Sequence, residues 1–243
     1  VCKKKLPEGI EGLIASAKKY GIKFGIWIEP EMTNTKSELY EKHPDWIICQ
    51  NNRTPSKGRG GTQMILDMSN PEVQDFVFGV VDNLMTNHPE IAYIKWDANM
   101  SILNHGSNYL TKDNQSHKDR QSHLYIEYHK GLNNVLERIR AKYPNLLMQA
   151  CASGGSRVNY GLLPYFGEFW TSDNTDAFDR ATIQRGYSLL YPQITMGAHV
   201  SIVPNHQTGR STSLDARYQV ARLFNLGYEL DCHPPGKSFR NSP

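Results

Sequence analysis

The sequence predicts an α/β fold, and three observations carry that expectation. Amphipathic helical stretches alternate with short apolar runs, acidic residues stand directly after several of those runs, and no Gly-rich phosphate loop opens any helix. Repeated strand-helix units build a parallel sheet. An open doubly wound sheet and a closed (β/α)8 TIM-type barrel both fit the alternation. The barrel is favoured because Glu29, Asp97, Cys151 and Asp173 each follow the end of a different strand, as a site on the C-terminal face of a barrel requires. Only five or six strands can be counted, so the barrel is expected to be incomplete.

The elements follow in order. In Gly9 to Tyr20, Ile10, Leu13, Ile14 and Ala17 share one helical face, and Gly21 acts as a stop. Lys23 to Ile28 reads as a buried strand that runs into Glu29, Pro30 and Glu31, where proline ends regular pairing. Pro71 opens a helix to Met85, Ile91 to Trp96 is a strand, Gln121 to Lys142 a helix, and Leu146 to Ala150 a strand. Beyond them, Phe169 to Thr171 is strand-like, Asp179 to Leu190 helical, Ile194 to Gly197 strand-like, and Leu214 to Leu226 helical. No linker, low-complexity stretch or longer repeat divides the chain, so residues 1–231 are expected to form one partial barrel domain, followed by an irregular tail at 232–243.

Bulk composition excludes several classes. The 243 residues suffice for a sizeable core, and 39% hydrophobic with 21% charged residues is ordinary for a globular chain. A net charge of +3 from 27 basic and 24 acidic residues, spread out apart from Lys3, Lys4 and Lys5, implies no nucleic-acid partner. No run of about 18 apolar residues suggests a membrane span. Cys2, Cys49, Cys151 and Cys232 are too scattered for a disulfide scaffold or a zinc site. No metal or other cofactor is implied, and the compartment is left open. Sequons at Asn52, Asn99 and Asn114 are short enough to arise by chance.

Two segments carry chemistry. In Tyr93-Ile94-Lys95-Trp96-Asp97-Ala98-Asn99 the alternation of a strand points Lys95, Asp97 and Asn99 to one side. A cation two residues from a carboxylate favours its charged form, which suits a nucleophile; an ion pair at a strand end is the plainer alternative. Trp170-Thr171-Ser172-Asp173-Asn174-Thr175-Asp176 is a strand end followed by an acidic turn, where Asp173 fits a catalytic carboxyl; a helix cap at Asp173 or Thr175 is the plainer alternative, and Asp176 fits that cap better. Two carboxylates on two strand ends are the requirement of glycoside hydrolysis. Between them, the Gly154-Gly155 pair permits close backbone approach, and Trp27 and Trp96 could stack on a sugar or pack in the core.

Taken together, KFGIWIEPEM, HPDWII, YIKWDAN, CASGGSR and WTSDNTDA, in this order, resemble the family 36 glycoside hydrolases, whose best-known members are α-galactosidases. The match covers roughly residues 5 to 230, and KWDxN followed by CxSGGxR and WTSDNTDA is highly specific. The resemblance implies a (β/α) barrel and metal-free hydrolysis of terminal α-linked galactose, from oligosaccharides such as melibiose and raffinose, with retention through a covalent intermediate. By motif, Asp97 matches the nucleophile and Asp173 the acid/base. Trp27, Arg59, Lys95, Asn99, Cys151 and Gly154 match sugar-contacting positions. GRGGTQ around Arg59 carries extra residues relative to the usual GRxQ, and Ala98, Met100 and Asn159 stand where other residues are common. The family's N-terminal β-sandwich, its first two barrel strands and its C-terminal β-domain have no counterpart here. The chain therefore reads as a barrel fragment, incomplete at the N-terminal side, whose full-length parent could be homo-oligomeric.

Three alternatives stay open at this level. A galactosyltransferase of raffinose-synthase type uses the same intermediate and differs in its acceptor. An inactive carbohydrate-binding fragment would follow from the loss of the family's first two barrel strands, which end in an acidic pair that holds the sugar hydroxyls. A metal-dependent sugar isomerase would need several of the nine histidines as ligands, and His199 and His206 resemble loop or packing residues more.

Overall fold

The computed structural model describes residues 4–112 and 118–230. Lys3, Cys2, Cys232, the Asn114 sequon and the tail at 232–243 lie outside the described residues. The chain divides into two compact units, residues 1–148 and 149–243, with an α/β fold of parallel strands and helices.

The first unit contains α1 (Gly9–Lys19), β1 (Phe24–Ile28), β2 (Met32–Asn34), α2 (Glu38–Lys42), β3 (Gln63–Ile65), α3 (Pro71–Asn87), β4 (Ile91–Trp96), α4 (Asn108–Lys112) and α5 (Leu124–Lys142). β1 pairs in parallel with β4, with Ile26 opposite Ile94, Trp27 opposite Lys95 and Ile28 opposite Trp96. Period-2 alternation therefore puts Ile26, Ile28, Ile94 and Trp96 on one face and Trp27 and Lys95 on the other. Ile94 and Trp96 are fully buried, so the apolar face supplies the packing and the polar face the site.

α3 starts where the sequence requires. The Asn70 side chain accepts from the Glu72 N–H, and Pro71 occupies the first turn, where its missing N–H costs nothing. Val73, Val77, Val81 and Met85 recur every four residues and are buried; each contributes about 2 kcal/mol by leaving water. α3 packs against α5, whose Tyr128, Leu132, Val135 and Ile139 are buried in turn. The contact is close at Gly131, where an added Cβ would sit 1.8 Å from the Met68 carbonyl oxygen. Gly131→Ala is therefore expected to destabilise the chain by at least about 3 kcal/mol, because the carbonyl belongs to the backbone and the Cβ is fixed rigidly to it, so neither can swing away. A urea titration of the two chains checks this, and an unchanged midpoint would contradict it.

The second unit contains the latter half of β5 (Leu147–Ala150), then β6 (Glu168–Trp170), α6 (Ala177–Ser188), β7 (Met196–Ser201), α7 (Leu214–Ala221) and β8 (Asn225–Glu229). The pairs β5–β6, β6–β7 and β7–β8 are all parallel. Phe169, Met196, Ala198 and Val200 are fully buried, and Ala221 of α7 packs on β7.

The structure corrects several expectations. The helix read at Leu214 to Leu226 ends at Ala221, and Asn225–Glu229 forms a strand on β7. Leu223, Phe224 and Leu226 continue helical spacing in the sequence, while Asn225 and Gly227 are poor strand formers, so only the pairing with β7 reveals it. α6 begins two residues before Asp179 because Asp176 caps it. The strand at Ile194 to Gly197 starts at Met196 and runs to Ser201, and Thr171 falls outside β6. The antiparallel β2–β3 ribbon and the short helices α2 and α4 were not anticipated.

Candidate active site

In the first unit, four polar side chains collect where β1 and β4 end. Asp97 follows β4 directly, and its N–H donates to the Ile28 carbonyl at 2.9 Å, which extends the ladder one residue beyond the strand. Its carboxylate is buried and accepts the Trp27 indole N–H at 3.1 Å and the Ala98 N–H at 2.9 Å. N–H donors aimed at a carboxylate favour its ionised form, the form able to attack an electrophile. Trp27 is 49% exposed, so its ring also presents surface to solvent. Lys95 lies opposite Trp27 in register, and Asn99 donates its side-chain amide to Glu29.

Glu29 follows β1 as Asp97 follows β4. One of its oxygens accepts both the backbone N–H and the side-chain amide of Asn99, each at 2.8 Å, and the other accepts the Gln63 amide at 2.8 Å. Glu29 thus fixes Asn99 beside Asp97. Sequence reasoning placed Glu29 at a strand end and omitted it and Gln63 from the site; two carboxylates after paired strands was the available signal. Trp27, Glu29, Arg59 and Gln63 line an open cavity of about 550 Å³, together with Met32 and Leu39. Arg59 lies in a one-turn 3-10 segment, Arg59–Gly61, and is exposed.

Trp96 packs away from this group. It is buried and donates its indole N–H to Glu31 at 2.7 Å, and the other Glu31 oxygen accepts the Tyr128 hydroxyl at 2.6 Å. Glu31 is itself fully buried, so it ties the end of β4 to α5 through two donors. The two glutamates of EPEM therefore have different tasks, one facing Asn99 and one in the core.

In the second unit, Asp173 stands on the loop after β6 with its side chain exposed. One carboxyl oxygen accepts the Trp170 indole N–H at 3.0 Å. Both candidate carboxylates are thus held by a tryptophan N–H, one from a neighbouring strand and one from its own. Asp173 does not cap α6. Asp176 does, accepting the Phe178 N–H at 3.0 Å and the Asp179 N–H at 3.2 Å, as its place in the sequence suggested. Burial alone would raise the Asp176 carboxyl; the Asp179 N–H, the Thr208 hydroxyl, the Arg210 charge and the Phe178 N–H together hold it below its ordinary value.

Cys151 follows β5 and is buried. Gly154 adopts φ +85° in the turn that follows, and a Cβ there would lie 2.8 Å from the Ser172 Cα. A Cβ on Gly155 would lie 2.6 Å from the Thr171 carbonyl oxygen. The close approach that the glycine pair permits is made to the backbone beside Asp173. The His199 ring packs against Trp170 at a tilt of 41°, with 4.4 Å between ring centroids. Arg180, which sequence reasoning overlooked, is buried under the same loop, and its guanidinium carbon lies 4.3 Å from the Trp170 ring. Burial pushes this guanidinium down to about 10, against the opposing charges of Glu229 and Asp173. A cation in the first turn of a helix opposes the helix dipole, and that mismatch was the available signal. Among the described residues, no cluster of three or more His, Cys, Asp or Glu side chains could hold a metal ion, and no helix is long and apolar enough to cross a membrane.

Comparison with known proteins bears on this geometry. The Melibiase family model matches residues 1–238. The α-galactosidase AgaA of Geobacillus stearothermophilus is 44% identical over 231 residues, covering 95% of this chain and 30% of that protein. Alpha-galactosidase 2 of Pediococcus pentosaceus is 39% identical over 227 residues, covering 93% of this chain and 30% of its own length. The crystal structure of the Lactobacillus brevis α-galactosidase superposes with a TM-score of 0.89 at 43% identity, over 97% of this chain and 31% of that one. An AgaA variant solved in complex with raffinose gives 0.90 at 42% identity, over 98% and 32%. The chain thus spans about 30% of the length of the curated relatives it matches. With the family model matched along nearly its whole length and the motifs around Asp97 and Asp173 set at strand ends, the chain belongs to the Melibiase family, the family 36 glycoside hydrolases that those motifs resemble.

Proposed function

We propose that these residues form part of the catalytic barrel of a retaining α-galactosidase that removes terminal α-linked galactose from oligosaccharides such as melibiose and raffinose. The observation that carries the reading is the contrast between two oriented carboxylates at strand ends. Asp97 is buried and held by two N–H donors, which suits the nucleophile; Asp173 is exposed and held by one, which suits a group that exchanges protons. Residues 1–231 are read as one partial (β/α)8 barrel domain.

In the first step Asp97 attacks the anomeric carbon while Asp173 protonates the departing glycosidic oxygen, leaving a β-galactosyl ester on Asp97. In the second, Asp173 takes a proton from water, which attacks the same carbon and restores the α configuration. Trp27, Arg59, Lys95, Asn99, Cys151 and Gly154 are assigned to the sugar, and the placing of Trp27 and Arg59 on one cavity supports their part of that assignment. Neither step calls on a metal.

The test is to incubate the protein that carries this chain with raffinose and follow the anomeric protons by NMR. α-Galactose is expected first, with the β anomer appearing only by mutarotation. β-Galactose first, or, with melibiose as the donor, transfer to added sucrose to give raffinose without release of galactose, would overturn the reading.

A further inference from the structure

The loop that presents Asp173 is built around a buried cation. The Arg180 guanidinium donates from Nη1 to the Thr171 hydroxyl at 2.6 Å, from Nη2 to the Ser172 carbonyl at 2.7 Å, and from Nε to the Asn174 carbonyl at 2.7 Å. Two of these acceptors are the residues on either side of Asp173. A planar fork with three donors committed fixes those carbonyls in direction as well as in distance. The same guanidinium lies on the Trp170 ring, and the Trp170 N–H takes one oxygen of the Asp173 carboxyl at 3.0 Å. A cation against the face of an indole draws electron density from the ring and strengthens its N–H as a donor.

We propose that Arg180 and Trp170 are positioning residues for proton transfer by Asp173: Arg180 fixes the backbone on both sides of it, and Trp170 occupies one carboxyl oxygen so that the other faces the departing group. The placing of a cation is costly in itself, being both buried and in the first turn of α6, where the helix dipole opposes it. A loop that only needed closing could be held by neutral donors. The inference rests on reading Asp173 as the acid/base, and the experiment separates the two.

Activity is compared on raffinose, whose leaving oxygen must be protonated, and on 2,4-dinitrophenyl α-galactoside, whose leaving group departs as the anion. Asp173→Ala serves as the reference. Trp170→Phe keeps an aromatic ring beside Arg180 and removes the N–H together with part of the indole, a loss of packing that acts equally on both substrates. It is expected to lose about tenfold in kcat/KM on raffinose, the scale of one hydrogen bond to a charged group, with less than about a twofold change on the dinitrophenyl substrate. Arg180→Lys keeps the charge, cannot reach all three acceptors, and is expected to show the same selective loss. If Trp170→Phe lowers both substrates equally, or neither, while Asp173→Ala remains selective, the positioning role falls and the acid/base assignment stands. If Asp173→Ala lowers both equally, the assignment falls and the inference with it. Should Arg180→Lys fail to fold, Trp170→Phe decides alone.

Discussion

Asp97→Ala, made in the protein that carries this chain, is expected to lower kcat/KM on raffinose by roughly four to six orders of magnitude, since no other group can form the covalent intermediate. The cavity left by the carboxylate lies between the Trp27 indole and the Ala98 N–H, two donors already aimed at an anion. Azide is expected to enter it, attack from the face that Asp97 occupied, and yield β-galactosyl azide with an activated aryl substrate. Formation of the α azide, or full activity without azide, would contradict the assignment.

Asp173→Ala is expected to behave differently because it touches proton transfer alone. General acid catalysis contributes about 10² to 10⁴ in rate, so raffinose turnover should fall by that factor while formation of the intermediate from dinitrophenyl galactoside is nearly preserved. The intermediate then waits on Asp97 for a water that no base activates. Azide, needing no base, is expected to intercept it from the opposite face and give α-galactosyl azide. The same azide configuration from both variants would show that the two carboxylates do not divide the work in this way.

Much of this was legible in the sequence wherever the signal is local. β4 emerges at its expected bounds because an apolar run ends in polar residues, and α3 starts at Pro71 because Asn70 and Pro71 are a start signal in themselves. The apolar alternation of β4 is matched by its register against β1, with Ile26 opposite Ile94 and Ile28 opposite Trp96. What could not be read depends on partners distant in the chain. Trp27 meets Asp97 across 70 residues and Glu31 meets Tyr128 across 97, through a pairing that no local pattern encodes. The helix expected to Leu226 overran the first two residues of β8, because Asn225 and Gly227 disguise a strand that exists by pairing with β7. Arg180 announces itself only by a cation's misfit with the start of a helix, and what it holds appears only once the loop carbonyls converge on it.

The central claim is that Asp97 bears the galactosyl group, and covalent trapping tests it most directly. A fluorinated galactosyl fluoride, in which the ring fluorine slows breakdown of the intermediate more than its formation, is added to the protein that carries this chain. The protein is then digested and the labelled peptide sequenced by mass spectrometry. A single galactosyl adduct is expected on Asp97 within Tyr93 to Asn99, and none in Asp97→Ala. An adduct on Glu29 or Asp173, or rapid turnover with no adduct and an inverted product, would contradict the account.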